Sequence, residues 1–556
     1  MTMSMKVLPV AGLCVAVSTA LAAATPATQP IDPAHLSETT RVLASEPFQG
    51  RAPGTPGEQK TIAYLIDRFK EVGLSPAGDD GGWTQRVPLV HTRLGAGGTM
   101  TVDAGGAALP LEQKRQVYVN TVRPVDRVSI ANAPMVFVGY GVTAPERQWD
   151  DFKGVDLHGK VAVFLVNDPD FEAKPGEPSY GRFGGKAMTY YGRWTYKYEE
   201  AARRGAVAAL IVHDTPGAGY GWNTVIAPGG ENYDIVRTGP VQPVLLQGWI
   251  EGDAARDLFR RAGLDLDKLR VEARSPNFKP VALAGETFSA DLPVSAEQVQ
   301  SYNVLGKIAG AKRPDETVMY GAHWDAYGIG TPDAQGRTIR PGAADDAIGV
   351  AGLIEIARAF ASGPKPDRTV VFAAWTAEER GLLGSETYAV HPLFPLEKTV
   401  ANLTMDILQT AGPAHDVVLV GPGQSSLEDD LARAAQTQGR TITPETLPER
   451  GLFYRADHFS LARRGVPTLL LMGIAGPHDL VTGGRAAGQK WLESYMACYH
   501  QTCDTWSPAF DFRGAAQDVE LLLDIGRKLA FSDQWPEWRP TSEFRAIRGR
   551  SSAERR

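Results

Sequence analysis

Cysteine is nearly absent: the chain has three in 556 residues, so any metal site built here must draw on nitrogen and oxygen donors rather than a set of thiolates. An excess of positive charge is also missing. The formal net charge is -7, and the only basic run is the short closing stretch FRAIRGRSSAERR, which leaves no face for a phosphate backbone and excludes nucleic acid as a partner. After the first few dozen residues no apolar run is long enough to span a bilayer. Internal repeats are lacking too, and low complexity is confined to the ends. What remains is ordinary globular composition, 43% hydrophobic and 22% charged, in a chain long enough for two to four domains.

The opening MTMSMKVLPVAGLCVAVSTALAAATPATQP carries Lys6, an apolar run over 7–22 and small residues forming an A-x-A-like site at 20–22. This is the layout of a cleaved signal peptide, residues 1–24, and it predicts a periplasmic or secreted protein with no stable membrane span after cleavage. Cys14 leaves with that segment. Cys498 and Cys503, in CYHQTC, then remain in an oxidising compartment, where a small-loop disulfide is expected rather than a metal pair.

Three kinds of pattern follow one another. From His35 to Gly73, helical periodicity brackets a Gly/Pro loop, EPFQGRAPGTPGEQ. From about residue 135, short β runs dominate (MVFVGYGV, KVAVFLVND, AALIVHD, QPVLLQG) with one helix, KYEEAARRGA, predicting a β-rich module over roughly 120–288. Its Gly-rich piece GAGYGWNTV reads as a loop with Trp222 packed. From Tyr302 onward, apolar strands alternate with helices: TVMYGAHWD, AIGVAGLIEIARAFAS, RTVVFAAW, ANLTMDI, DVVLVG, SLEDDLARAAQTQG, VPTLLLMG and AAQDVELLLDIGRKLAFS. Strands this apolar are covered on both faces, so the expected class is α/β, a mixed and mostly parallel central sheet flanked by helices.

In such sheets chemistry gathers where strands end, and that is where this chain puts its acids. His323 and Asp325 close the first strand, Asp345 and Asp346 sit in PGAADDAIGV before a helix, Glu378 and Glu379 follow VVFAAW, and Asp406 closes ANLTMD. Taken singly, each acid is more often a helix cap or a surface charge than a ligand, and Asp345 or Asp346 could simply cap the helix that follows. Together at one sheet edge they would repel one another severely unless a cation neutralised them. Histidine and carboxylate donors suit zinc, with manganese or cobalt as chemical substitutes. The inventory fits two ions joined by a shared carboxylate.

The motifs GAHWDAYG, PGAADDAIGV, AAWTAEERGLLGS, NLTMD and CYHQTCDT together resemble the M28 family of zinc exopeptidases, which includes bacterial aminopeptidases and the glutamate carboxypeptidase II group. The segment VGYGVTAPERQWDDFKGVDLHGKVAVFLVNDPDF resembles a protease-associated (PA) domain. The resemblance implies a zinc-exopeptidase (phosphorylase/hydrolase-like) fold divided into signal peptide 1–24, N-terminal part of the peptidase domain 25–119, inserted PA-like domain 120–288, zinc peptidase domain 289–540 and basic tail 541–556.

Residue by residue, it implies two zinc ions per chain held by His323, Asp345 as the bridge, Glu379, Asp406 and His500. Asp325 is the expected acceptor behind His323, and the Asp345–Asp346 peptide is expected to be cis. Glu378 is the implied general base, Tyr499 the implied oxyanion donor, and Arg455 a candidate substrate contact. His458 in RADHFS is expected to support the site's wall, and His478 in AGPHDL to be a loop residue. His500 takes the last ligand position because Tyr499 precedes it, DT follows, and the bracketing cysteines would hold it stiffly.

The activity implied is removal of N-terminal residues from peptide substrates. A carboxypeptidase of the glutamate carboxypeptidase II type would need cationic groups arranged for a substrate carboxylate, and no such cluster is traceable in the sequence. A glutaminyl cyclase-like acyltransferase would use one zinc, and a receptor-like binding protein would have lost ligands, whereas every position here holds a competent residue.

Overall fold

The structure is a computed structural model describing residues 1–2, 30–104, 107–226, 231–237 and 239–555; the apolar run and cleavage site of the expected signal peptide lie outside the described residues. Helix α1 (Pro33–Leu43) starts where Asp32 accepts the Ala34 N–H at 2.8 Å, and α2 (Pro56–Glu71) starts at Thr55 with proline in its first turn. Both starts use a side-chain cap and a proline preset for helix. The Gly/Pro loop between them tightens into a short 3₁₀ segment over Glu46–Arg51.

Next come β1 (Thr84–Leu94), β2 (Val117–Asn120), β3 (Arg127–Phe137), β4 (Val161–Leu165), α3 (Trp194–Arg203), β5 (Ala208–Val212), β6 (Leu246–Ile250) and β7 (Val281–Ile308). The rest of the framework is β8 (Arg313–His323), α4 (Ile348–Ala361), β9 (Arg368–Trp375), α5 (Leu383–Val390), β10 (Thr399–Asp406), α6 (Leu427–Thr437), β11 (Thr468–Met472) and α7 (Arg513–Ala530).

The sheet of the larger half runs β11-β10-β8-β9-β7-β1, with β11, β10, β8 and β9 parallel and β7 and β1 antiparallel. The expected mixed, mostly parallel sheet is the one found. Every residue of β9 and β10 is buried. Along β9, Val370, Phe372 and Ala374 face a core shared with α1, α4 and α7, while Val371, Ala373 and Trp375 face the opposite core with Leu461 and Val466. Alternate side chains of a strand point to opposite faces, so an uninterrupted apolar run is what two covered faces require.

The smaller half runs β7-β3-β4-β5-β6-β2, parallel from β3 to β6. Strand β7, 28 residues long, runs through both halves, and Glu231–Ile235 adds a strand beside β1. Residues Val281–Pro293 pair with β3, and Val294–Val304 pair with β1. Residues 288 and 289, where the sequence suggests a boundary, lie inside this strand, and the hairpin of Thr99–Ala104 and Ala107–Pro110 joins the smaller half through it. At the other end of the chain Arg548 is buried and donates to the Thr399 carbonyl at 2.9 Å, so residues 541–555 include packed structure. No described helix is long and apolar enough to cross a membrane.

Candidate metal centre

Strand β8 has β9 on one side and β10 on the other, so the chain reverses direction across the sheet there. The crevice beyond such a switch point is where open α/β sheets bind ligands. His323 ends β8, Glu378 and Glu379 follow β9, and Asp406 ends β10. The loop before α4 adds Asp345 and Asp346, joined by a cis peptide, and the turn after Gly484–Met496 adds His500. Ala377, Ile407 and His500 all hold left-handed backbone, at φ 52°, 54° and 62°. Side chains disfavour that region, an isoleucine above all, so these are strained positions beside the candidate ligands.

Two clusters form. His323, Asp345 and Asp406 converge in one, and Asp345, Glu379 and His500 in the other. Asp345 belongs to both through different oxygens: Oδ1 lies 3.1 Å from His323 Nε2 and Oδ2 lies 3.2 Å from His500 Nε2. Asp406 Oδ1 is 3.8 Å from His323 Nε2, and Glu379 Oε2 is 3.3 Å from His500 Nε2. Asp406 Oδ1 is buried with no hydrogen-bond partner. An orphaned buried carboxylate oxygen among histidine nitrogens fits a cation, and the all-N/O donor set fits zinc. The Glu378 carboxylate approaches His323 Nε2 at 3.9 Å but belongs to neither triad.

Burial governs the charges. It pushes Glu378 well above the usual carboxylate range against the attraction of His323, and Asp406, Glu379 and Asp457 push in the same direction as burial. Glu379 and Asp346 are raised for the same primary reason. Asp345 goes the other way: burial opposes its charge, yet hydrogen bonds from both histidines hold it below the ordinary range. Burial also keeps the Tyr499 phenol protonated far above its usual value.

Three carboxylates fix the donors. Asp346 accepts backbone N–H groups from His323 at 3.3 Å, Gly349 at 3.0 Å and Ile407 at 3.2 Å, joining the ends of β8 and β10 to the start of α4. Gly349 must be glycine for this contact, since a Cβ there would lie 2.2 Å from the Asp346 carboxylate. Asp325 behaves differently from expectation. The nearest acceptor to His323 Nδ1 is the Asp325 carbonyl, at 3.1 Å; its carboxylate stands off at 3.6 Å and instead takes the Glu378 N–H at 3.0 Å. The tautomer is still set, with Nδ1 donating and Nε2 turned to the centre.

Asp504 is the supporting residue that sequence reasoning did not single out. It accepts the Ala344 and Asp345 N–H groups at 2.9 and 3.2 Å, and so positions the shared aspartate. Its signal was the DT after the expected ligand. It directly follows Cys503, which is disulfide-bonded to Cys498. Behind the loop, buried Arg51 donates to the carbonyls of Leu43, Trp324, Pro341 and Gly342.

The Tyr499 ring lies against that of His500, with centroids 3.6 Å apart and planes tilted by 33°. The charge of Arg455 acts on Tyr499 and Glu378. His458 is fully buried against Phe453, and His478 is buried with Nε2 at 3.2 Å from the Gly473 carbonyl. Trp222 packs on His213 and donates to the Lys114 carbonyl at 3.0 Å.

Overlapping histidine–carboxylate triads at an α/β switch point form an arrangement that could hold metal ions. Residues 303–518 match Peptidase family M28, and the chain therefore carries a peptidase M28 domain. It is 36% identical over 268 residues to Aminopeptidase NAALADL1 of Mus musculus, 45% of this chain and 33% of that protein. It is 32% identical over 142 residues to the Glutamate carboxypeptidase 2 homolog of Caenorhabditis briggsae, 24% of this chain and 17% of that protein. The chain thus spans a third or less of the length of these curated relatives. Among solved structures, an aminopeptidase from Aneurinibacillus sp. strain AM-1 aligns over 92% of this chain and 95% of its own, with TM-score 0.49 and 19% identity. A zinc aminopeptidase from Bacillus subtilis aligns over 90% and 96%, with TM-score 0.44 and 18% identity.

Proposed function

We propose that the protein is an exported zinc-dependent exopeptidase, an aminopeptidase that removes N-terminal residues from peptides with two zinc ions per chain. The observation that carries this reading is the sharing of Asp345 by two triads through its two oxygens. His323, Asp345 and Asp406 would hold one ion, and Asp345, Glu379 and His500 the other. Bound zinc would supply positive charge that polarises a scissile carbonyl and acidifies water near neutral pH.

The chain's own groups do the rest. Glu378, outside both triads and tethered through its N–H to Asp325, takes a proton from the attacking water at its carboxylate and delivers it to the leaving amine. Tyr499, kept neutral by burial, donates its hydroxyl hydrogen to the oxyanion. Arg455 orients the substrate. The Cys498–Cys503 disulfide supports export, because such bonds persist in oxidising compartments. The module over 120–288 is read as PA-like, walling the crevice on one side.

A panel of aminoacyl-p-nitroanilides beside N-blocked dipeptides with free C-termini, each with and without chelator, tests the reading. Chelator-sensitive release from the first set is expected. Cleavage of the N-blocked set alone would make the enzyme a carboxypeptidase, and activity surviving exhaustive chelation would end the metal assignment.

A further inference from the structure

The two candidate histidine ligands are restrained in different ways. His323 is buried and donates from Nδ1 to the Asp325 carbonyl at 3.1 Å. The His500 side chain is 25% exposed, and among the described residues no hydrogen bond engages its Nδ1. A histidine that binds metal ordinarily donates its second ring nitrogen to a carboxylate or carbonyl, which fixes the ring. His500 needs another restraint, the more so because its backbone sits at φ 62°, where a side chain is costly.

Ring packing supplies it. The Tyr327 ring lies 4.5 Å from the His500 ring, with planes tilted by 42°, and the guanidinium carbon of Arg380 stands 5.1 Å from the Tyr327 ring centroid. Arg380 Nη2 is also 3.5 Å from the Tyr327 carbonyl, so one side chain meets both the ring and the backbone of that tyrosine. The same guanidinium stands 5.3 Å from the ring of Tyr233, on the strand Glu231–Ile235. Tyr233 stacks on His91 of β1, with centroids 4.4 Å apart and planes 11° apart, and His91 Nδ1 is 2.7 Å from Glu297 Oε1 of β7. These contacts form a row from the framework sheet to the His500 imidazole.

Arg380 directly follows two glutamates, yet among the described residues it makes no ion pair, and its Nε is buried without a partner. The faces of two rings attract its charge instead. Turned toward Glu379, the guanidinium would compete with a bound cation for that carboxylate; held by the rings, it leaves Glu379 to the cluster with His500.

We propose that Arg380 is a positioning residue for His500: held against Tyr233 and Tyr327, it fixes the Tyr327 ring on the imidazole and so keeps Nε2 at 3.2 Å from Asp345 and 3.3 Å from Glu379. This rests on the reading of His500 as a zinc ligand in a two-ion centre.

Calorimetric zinc titration of chelator-stripped protein tests it. Glu379→Gln identifies the equivalent bound at the His500 side, because it removes a donor there. In Arg380→Met that equivalent is expected to weaken by about tenfold or more, while the other keeps its wild-type affinity. Arg380→Lys should recover part of the loss, since a charge remains over the rings. Adding Arg380→Met to Tyr327→Leu should weaken zinc little further, because both changes break the same row. Far-UV circular dichroism confirms folding, and if Arg380→Met does not fold, Tyr233→Leu carries the same comparison. Unchanged affinity in folded variants, equal weakening of both equivalents, or losses that add in the double variant overturn the proposal. If the wild-type protein binds fewer than two zinc ions, the two-ion reading fails instead. Hydrogen exchange of residues 498–503 in the metal-free protein then decides the positioning: faster exchange in Arg380→Met that Arg380→Lys slows supports it, and unchanged exchange overturns it.

Discussion

Two adjacent glutamates carry the sharpest prediction. Glu379 has an oxygen 3.3 Å from His500 Nε2 and belongs to a triad, whereas the Glu378 carboxylate is 3.9 Å from His323 Nε2 and belongs to none. Replacing Glu378 by Gln keeps its volume and leaves every triad donor in place, but removes the proton acceptor. General base catalysis contributes about 10²–10⁴-fold, so turnover should fall by that factor, equivalent to roughly 3–5.5 kcal/mol in the barrier. Zinc content should hold. Glu379→Gln replaces a charged donor with a weak neutral one, and zinc at the His500 side should be lost on gel filtration. The assay is kcat on the preferred aminoacyl-p-nitroanilide in excess zinc, beside metal content by atomic emission. Equal zinc retention in the two variants, or a Glu378→Gln enzyme with near-wild-type kcat, would refute the division of roles.

Three further outcomes follow from the supporting shell. Gly349→Ala puts a methyl 2.2 Å from the Asp346 carboxylate and should cost about 1–3 kcal/mol of stability, read in denaturant unfolding, together with weakened zinc binding. Asp504→Ala strands the buried Ala344 and Asp345 N–H groups and should cost roughly 1.5–3 kcal/mol, with zinc affinity down about 10–100-fold by titration. His458 is fully buried, and burial drives its ring from 6.5 down to about 3. A depressed folded value means stability fully present above pH 6.5 and lost as pH falls toward 3, by up to about 4–5 kcal/mol. Across that window the unfolding free energy should slope less in His458→Gln than in the wild type.

The larger sheet was legible because each of its parallel strands is buried on both faces, which leaves an uninterrupted apolar run such as RTVVFAAW. The same burial made the acids at the strand ends conspicuous, and the structure gathers His323, Asp345, Glu379, Asp406 and His500 there. Strand β7 was not legible. One half pairs with β3 and the other with β1, so its polar middle, SAEQVQSYN, matches neither a buried run nor a clean alternation, and the expected boundary fell inside it. The Asp325 carboxylate was expected behind His323, but spacing alone cannot distinguish a side-chain acceptor from the carbonyl of the same residue. Asp504 acts on Ala344 and Asp345, about 160 residues earlier in the chain. The DT of the last motif marks its position, but only the fold shows what it holds.

Zinc titration of peptide hydrolysis in chelator-stripped protein tests the central claim most directly. The shared Asp345 predicts no activity without metal, full activity at two equivalents per chain, and loss of both ions in Asp345→Asn. Hydrolysis that persists after stripping, saturation at one equivalent, or an Asp345→Asn protein that still binds two ions would contradict it.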